Sequence, residues 1–352
     1  TTDMYTASVA LPAVYGTGSP KGNNAEMKTD GWELSLSWRD SFKLGGKPFD
    51  YSIKAMVWDS KSVITKYVND TGSLGTVKGF IENGGSPSSY YVGMTVGEIW
   101  GYTVAGLFRD QADIDSSAIH DFVQASDKVT RPGQVKIADL DGNGFIDPGN
   151  FAVDDHGDLR IIGNQSPRYR YGVNLSARWN GIGLSVFLQG VGARDWYPGS
   201  DAGMFWGKYG RPFFALIPSI HNYTDDMYSA ERNNWDTAYW PRMTTYQSNG
   251  TKNWTRLLEI PNTRYIQSAA YLRVKNIQLD YSFPKHICSA IRLQGLKIYV
   301  NAENLFTFTP LHKYAPNFDP EGLSYDSDFA SAADGYTYPI LKSVTVGVNI
   351  TF

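Results

Sequence analysis

The segment Asp139 to Asn150 carries the chemistry that is easiest to read from residue type and spacing. Asp139, Asp141, Asn143 and Asp147 stand where an oxygen-rich calcium loop places its first, third, fifth and ninth positions, with Gly144 at the sharp turn. Phe145 is placed to offer its backbone carbonyl, and Asn150 takes the closing position. Oxygen donors at this spacing wrap a hard cation, so the expectation is a structural Ca2+ that orders the loop. Asn150 stands where a bidentate glutamate is usual and no long helices are expected on either side, which argues against an EF-hand pair. Asp154, Asp155 or Asp158 would then complete the shell. The alternative is a solvated Asp/Asn/Gly turn that needs no metal.

A second concentration of chemistry follows. Trp196, Tyr197, Phe205, Trp206, Tyr209, Trp235, Tyr239, Trp240 and Trp254 crowd one connection, with Arg194, Asp195, Asp201 and Arg211 among them. Flat rings stack on sugar faces or grip peptide side chains, and the charged groups can bond hydroxyls or backbone. Trp196, Tyr197, Trp206, Tyr209, Arg211, Trp235 and Trp240 are therefore the candidate substrate-binding residues. The alternative is that these rings pack the connection against itself or against a partner protein. Catalysis is not expected. The five histidines, His120, His156, His221, His286 and His312, are scattered, with no HExxH pair, GxSxG elbow or phosphate-binding glycine loop. Asp154 and Asp155 are adjacent, a poor arrangement for the separated carboxylates of glycoside hydrolysis.

These groups must be positioned by strands. Period-two alternation, which puts every second side chain on one face, marks seven segments: 31–40, 49–59, 169–179, 182–190, 271–283, 295–303 and 343–352. They fall into hairpins joined by turns around Gly45-Gly46, at Asn180-Gly181 and across Pro284 to Gln294, and Asn-Gly is a strong tight-turn signal. Connections are short after the first, third and fifth strands and long after the second, fourth and sixth. A sheet with two unlike rims of this kind is what an outer-membrane β-barrel has, with short periplasmic turns, long external loops and alternating apolar faces. The last strand, Ser343 to Phe352, puts Val344, Val346, Val348, Ile350 and Phe352 on one face. If the chain ends in the periplasm, segments 60–168, 191–270 and 303–342 lie outside. Seven strands cannot close such a barrel, because an open edge in lipid leaves backbone groups unsatisfied, so the remaining strands are expected from residues preceding Thr1 or from a companion chain. Polar residues open the chain at Thr1 with no secretory signal, as after cleavage or partway through a longer protein.

Composition narrows the field. A formal net charge of -3 gives neither a basic field for nucleic acid nor a polybasic stripe, and nucleic-acid binding is not expected. Aromatic residues make up 14% and charged residues only 19%, a mix suited to contact surfaces and interfacial belts. No run approaches the roughly 18 to 20 apolar residues that a transmembrane helix requires. The single cysteine, Cys288, has no internal partner for a disulfide.

Several blocks carry a family resemblance. Leu11 to Gly16, Asn24 to Leu36 with Gly31-Trp32-Glu33-Leu34 inside it, and Tyr91 to Tyr102 come first. Asp139 to Gly144, Ile162 to Tyr169, Phe187 to Gly190, Asn301 to Thr309 and Asp319-Pro320-Glu321 follow in order. Together they resemble the C-terminal third of SusC/RagA-type TonB-dependent transporters, over nearly the whole chain. What the resemblance implies is a 22-stranded transmembrane antiparallel barrel around an N-terminal plug, importing oligosaccharides or peptides beneath a SusD-like surface lipoprotein. Energy would come from TonB-ExbB-ExbD through the N-terminal part that this sequence lacks. The competing class, a soluble calcium-dependent carbohydrate-binding or adaptor module, explains the aromatics and the acidic loop but not the terminal Phe strand.

Overall fold

The computed structural model describes residues 1–7, 21–69, 72–74, 90–119, 130–198, 205, 226–242, 260–323 and 340–352. The chain is all-β, built on one antiparallel sheet. Its elements in order are β1 (Met4–Ala7), β2 (Lys21–Leu44), β3 (Lys47–Lys66), β4 (Glu98–Tyr102), β5 (Val104–Leu107), α1 (Gln111–Asp115), β6 (Val135–Ile137) and β7 (Leu159–Asn164). There follow β8 (Arg168–Trp179), β9 (Ile182–Ala193), β10 (Asp195–Trp196), β11 (Gln267–Ser268), β12 (Tyr271–Ser282), α2 (Lys285–Ala290), β13 (Gly295–Phe308) and β14 (Ser343–Thr351). The large sheet has the order β1-β2-β3-β8-β9-β12-β13-β14, so strands adjacent in the sheet are successive along the chain apart from the insertions. It is not closed on itself.

Two hairpins owe their tightness to backbone that only certain residues adopt. Gly45 and Gly46 (φ 58° and 77°) and Asn180 and Gly181 (φ 48° and 86°) are all left-handed. Two consecutive left-handed residues are the signature of the turn whose twist matches that of its flanking strands. The third short connection is not a plain turn, since Pro284 caps the short helix α2.

Register explains why the alternation was so clear. Directly opposed residues share a face. Trp38, Ile53, Leu175, Val186, Ile277, Ala302 and Val344 form one continuous apolar row across seven strands. One residue along, Arg39, Ser52, Ser176, Ser185, Gln278, Asn301 and Thr345 form a polar row on the other face. The hydroxyls of Ser52 and Ser176 hydrogen-bond across it at 2.8 Å. At the last strand pair the Tyr299 ring lies over Gly347, directly opposite it, in the space that a Cβ would occupy.

The apolar face is uncovered. Leu36, Trp38 and Val346 are 62%, 61% and 73% exposed, and Leu34, Ile53, Leu184, Leu279, Ile298, Val300, Val348 and Ile350 are exposed with them. A contiguous apolar surface of this extent has no place on a soluble monomer. The buried core lies elsewhere. Tyr91, Tyr102, Leu107, Leu159, Trp196, Phe205, Trp240, Tyr265, Leu311 and Phe318 belong to one cluster whose members all come from the long connections. All three long connections contribute, so all three gather at the same end of the sheet.

Two features differ from the sequence reading. β1 adds an eighth strand, and β2, β3 and β13 run past the segments that the alternation marks, with bulges in the β2–β3 and β12–β13 pairings along the way. The long connections are also not structureless: β4 pairs with β7, β5 with β6 and β10 with β11. Loop length is accordingly a weaker argument against a soluble fold than the uncovered apolar face.

Candidate functional site

The assembly formed by the long connections holds every candidate site residue that is described. Its center is aromatic. Trp196, carried by β10, faces Phe318 with ring centroids 4.8 Å apart and Phe205 at 6.0 Å. Phe205 meets Trp240 at 5.2 Å, and Trp240 stacks on Tyr265 at 5.7 Å. Tyr197 accepts a 2.7 Å hydrogen bond at its hydroxyl from Asn262 Nδ2. Trp196, Tyr197 and Trp240 are only 5%, 2% and 1% exposed, and the faces of the two tryptophans meet other rings of the same core. Trp235 packs half-buried at the margin. Trp206, Tyr209 and Arg211 lie outside the described residues, as do Asp201 and Trp254. Arg194 and Asp195 are both engaged inside the fold, Asp195 accepting a bond from the Asn164 backbone N–H at 2.9 Å.

The acidic loop is wired by its own side chains. Asp139 accepts from the N–H groups of Gly142 (2.6 Å) and Gly144 (2.9 Å), both left-handed glycines. Asp141 accepts from Asn143 N–H at 3.0 Å, Asn143 Oδ1 from Phe145 N–H at 2.7 Å, and Asp147 from Gly149 N–H at 2.7 Å. Asn143 Nδ2 donates to both Asp141 and Asp147, while Asn150 Nδ2 donates to Asp155. The carboxylates that converge are Asp139, Asp141 and Asp158, each with an oxygen within 4.8 Å of the others. Asp158 is fully buried and accepts from Leu140 N–H (2.6 Å) and Asp147 N–H (3.0 Å). Burial raises its carboxyl above the usual range in spite of these bonds, and the charges of Asp141 and Asp139 push the same way. Asp139, half-buried and held by the Gly144 N–H, is lowered. Oxygens of Asp139, Asp141 and Asp158 therefore converge, while the side chains of Asn143, Asp147 and Asn150 bond within the loop.

A feature that the sequence reading missed ties this assembly to the sheet. Arg273, on the polar face of β12, donates to Asp319 (2.5 Å), Glu321 (2.9 Å) and Thr307 Oγ1 (3.0 Å). Lys275 adds a 2.7 Å bond to Glu321. From the end of β9, buried Arg194 donates to the carbonyls of Pro320 (3.0 Å), Leu323 (2.6 Å) and Gln165 (3.3 Å). Two guanidinium groups thus grip residues 319–323 from neighboring strands. Asp319 is partly desolvated, which opposes ionization, but the Glu321 N–H and Arg273 hold its carboxyl below the usual range. The available signal was an arginine at an inward strand position with an Asp-Pro-Glu sequence downstream. Spacing alone cannot join residues so far apart in sequence.

No family model matches the chain. Three TonB-dependent receptors of Formosa agariphila align along almost all of it. Receptor P3 is 24% identical over 97% of the chain and 30% of its own length, P26 is 22% identical over 98% and 31%, and P39 is 23% identical over 100% and 33%. The chain therefore spans about a third of the curated relatives it matches. Among solved structures, the RagAB peptide transporter superposes with a TM-score of 0.58 at 16% identity, covering 100% of this chain and 32% of that one. The "open-open" state of the RagAB peptide importer gives 0.56 at 17% identity, covering 100% and 31%. The fold is shared across the whole chain.

Proposed function

We propose, from its place among TonB-dependent transporters of the SusC/RagA type, that this chain forms one side of an outer-membrane barrel through which nutrient oligomers are imported. The observation that carries the proposal is the apolar row of the sheet. In water that face is a liability, whereas in hydrocarbon it is the outer wall of a barrel whose polar row faces the lumen. Further strands would then pair with β14 and with the part of β2 beyond its short pairing to β1, since backbone groups left open in lipid are costly. The long connections are assigned to the cell exterior and the short ones to the periplasm.

In this reading the exterior assembly is a rigid vestibule. Its aromatic core fixes the shape, and a SusD-like surface lipoprotein seats over it as a lid. Cargo contact, glycan or peptide, falls to residues at the margin of that core, Trp235 among them, more than to the interior rings. TonB-ExbB-ExbD would supply energy through polypeptide outside this chain, with the wall residues taking no chemical part. A Ca2+ ion held by Asp139, Asp141 and Asp158 is proposed as a brace of the vestibule. Its charge would offset three converging carboxylates.

The test is purification of the full-length protein from native outer membranes, with intact-mass analysis of copurifying chains and ligands. A membrane-extracted complex carrying a surface lipoprotein and an oligomeric ligand is the expected result. A folded, water-soluble species without partner chain or ligand would overturn the proposal in favor of the soluble adaptor module.

A further inference from the structure

The connection from β12 to β13 differs from the other two short ones. Those are two-residue turns, whereas this one holds α2, with Pro284 in extended conformation at its N-cap. Ile287 and Ile291, one helical turn apart and therefore on one side, are 40% and 55% exposed. Between them in sequence Cys288 is buried, with its Sγ 3.7 Å from the Phe283 carbonyl. Exposed isoleucines at a rim turn are unusual, and the charged residues beside them are all basic. Lys285, His286 and Arg292 are exposed, and no Asp or Glu occurs between Phe283 and Leu296.

The apolar files of both flanking strands run into this connection. Ile277, Leu279 and Tyr281 end at Phe283, whose ring meets that of Tyr281 at 5.0 Å, and Val300 and Ile298 end at Leu296. The isoleucine pair follows directly in the chain on the end of these apolar files, with Lys285 and Arg292 next to it. That is the composition of a segment lying in a bilayer interface, apolar side chains at the acyl boundary and Lys or Arg among headgroups. A turn exposed only to periplasmic water would need neither.

We propose that residues 284–294 are an interfacial anchor, with Ile287 and Ile291 inserted at the acyl boundary of the adjoining leaflet and Lys285 and Arg292 binding anionic phospholipid headgroups. This rests on the membrane reading above, so the experiment separates the two. The full-length protein, with Cys288→Ser or, if that variant folds poorly, Cys288→Ala, receives a nitroxide at Ile291→Cys or at Val300→Cys. It is placed in nanodiscs containing anionic phospholipid, and collision with oxygen and with a water-soluble nickel complex is measured by electron paramagnetic resonance.

The label at 300 is expected to be shielded from nickel, and the label at 291 to sit at intermediate depth, favoring oxygen. Adding Lys285→Gln and Arg292→Gln is expected to raise nickel access at 291 about twofold in anionic discs and to leave it unchanged in zwitterionic ones, because only the former supply counter-charges. A label at 291 as open to nickel as one in solution, with 300 shielded, overturns the anchor and leaves the barrel intact. Loss of shielding at 300 overturns the barrel. An unchanged signal on removing both cations in anionic discs overturns the headgroup contact.

Discussion

Asp319→Ala is a sharp probe of the clamp between sheet and vestibule. The Arg273 side chain is 3% exposed and that of Asp319 13%, so the substitution strands most of a buried charge. It also removes the acceptor for the N–H groups of Glu321 (2.9 Å) and Ile340 (3.3 Å). Breaking a buried ion pair from one side costs about 3–5 kcal/mol. Glu321 and Thr307 still hold Arg273 after the change, which places the loss near the lower end, about 3 kcal/mol. At roughly tenfold per 1.4 kcal/mol, local opening of residues 309–323 should rise on the order of 100-fold. Hydrogen exchange by mass spectrometry on the full-length protein reads this directly, with β8 and β9 peptides as internal controls. Adding Arg273→Met should recover much of the protection, since an apolar side chain has no charge to leave unpaired. Unchanged exchange in the single variant, or a double variant as open as the sum of the singles, would refute the clamp.

The same carboxylate sets a pH limit. The Asp319 pKa is lowered in the fold, so its contribution is present above the unfolded value of about 3.9 and is lost as pH falls through the folded one. The protection of 309–323, exchange corrected for the intrinsic amide rate at each pH, should therefore hold from neutral pH to about 5 and fall below about 4. At the final strand pair, Gly347→Val should lower the yield of folded, heat-modifiable barrel, because a Cβ there displaces the Tyr299 ring, and Tyr299→Ala should restore part of it. Wild-type yield from the single variant would contradict that packing. For the acidic loop, chelation should increase protease cleavage between residues 130 and 165, and Asp139→Asn with Asp141→Asn should remove the response. Cleavage indifferent to chelator would exclude the Ca2+ brace.

Much of the wall was legible because lipid and lumen impose opposite demands on alternate residues, and seven strands obey them. Trp32 to Trp38 and Val344 to Ile350 show this without reference to any contact. The strand ends were less legible, since the N-terminal part of β2 is largely polar on both faces and a bulge facing left-handed Asn304 interrupts the register of β13 before Phe306 and Phe308. β1 is four residues long and carries no pattern that a reader could use. The vestibule was the hardest part. An aromatic-rich connection reads the same whether its rings meet cargo or each other, and only three-dimensional packing shows Trp196, Tyr197 and Trp240 turned inward. In the acidic loop the spacing identified Asp139 and Asp141 correctly as neighbors. Asp158, one of three residues expected to complete the shell, is the third carboxylate that converges, arriving from the far side of the turn, whereas Asp147 accepts from the Gly149 N–H. Arg273 escaped notice because its acidic partners lie more than 40 residues downstream.

The most direct test of the lipid-facing wall is a cysteine scan of residues 344–350 in membranes holding the full-length protein, read by a water-soluble maleimide before and after unfolding. Val344, Val346, Val348 and Ile350 should be protected from the reagent and from its competitors in the bilayer-embedded state, while Thr345, Gly347 and Asn349 label from the aqueous lumen, giving a period of two. Uniform labeling of both sets, or protection in the reverse phase, would contradict a sheet whose apolar row meets lipid.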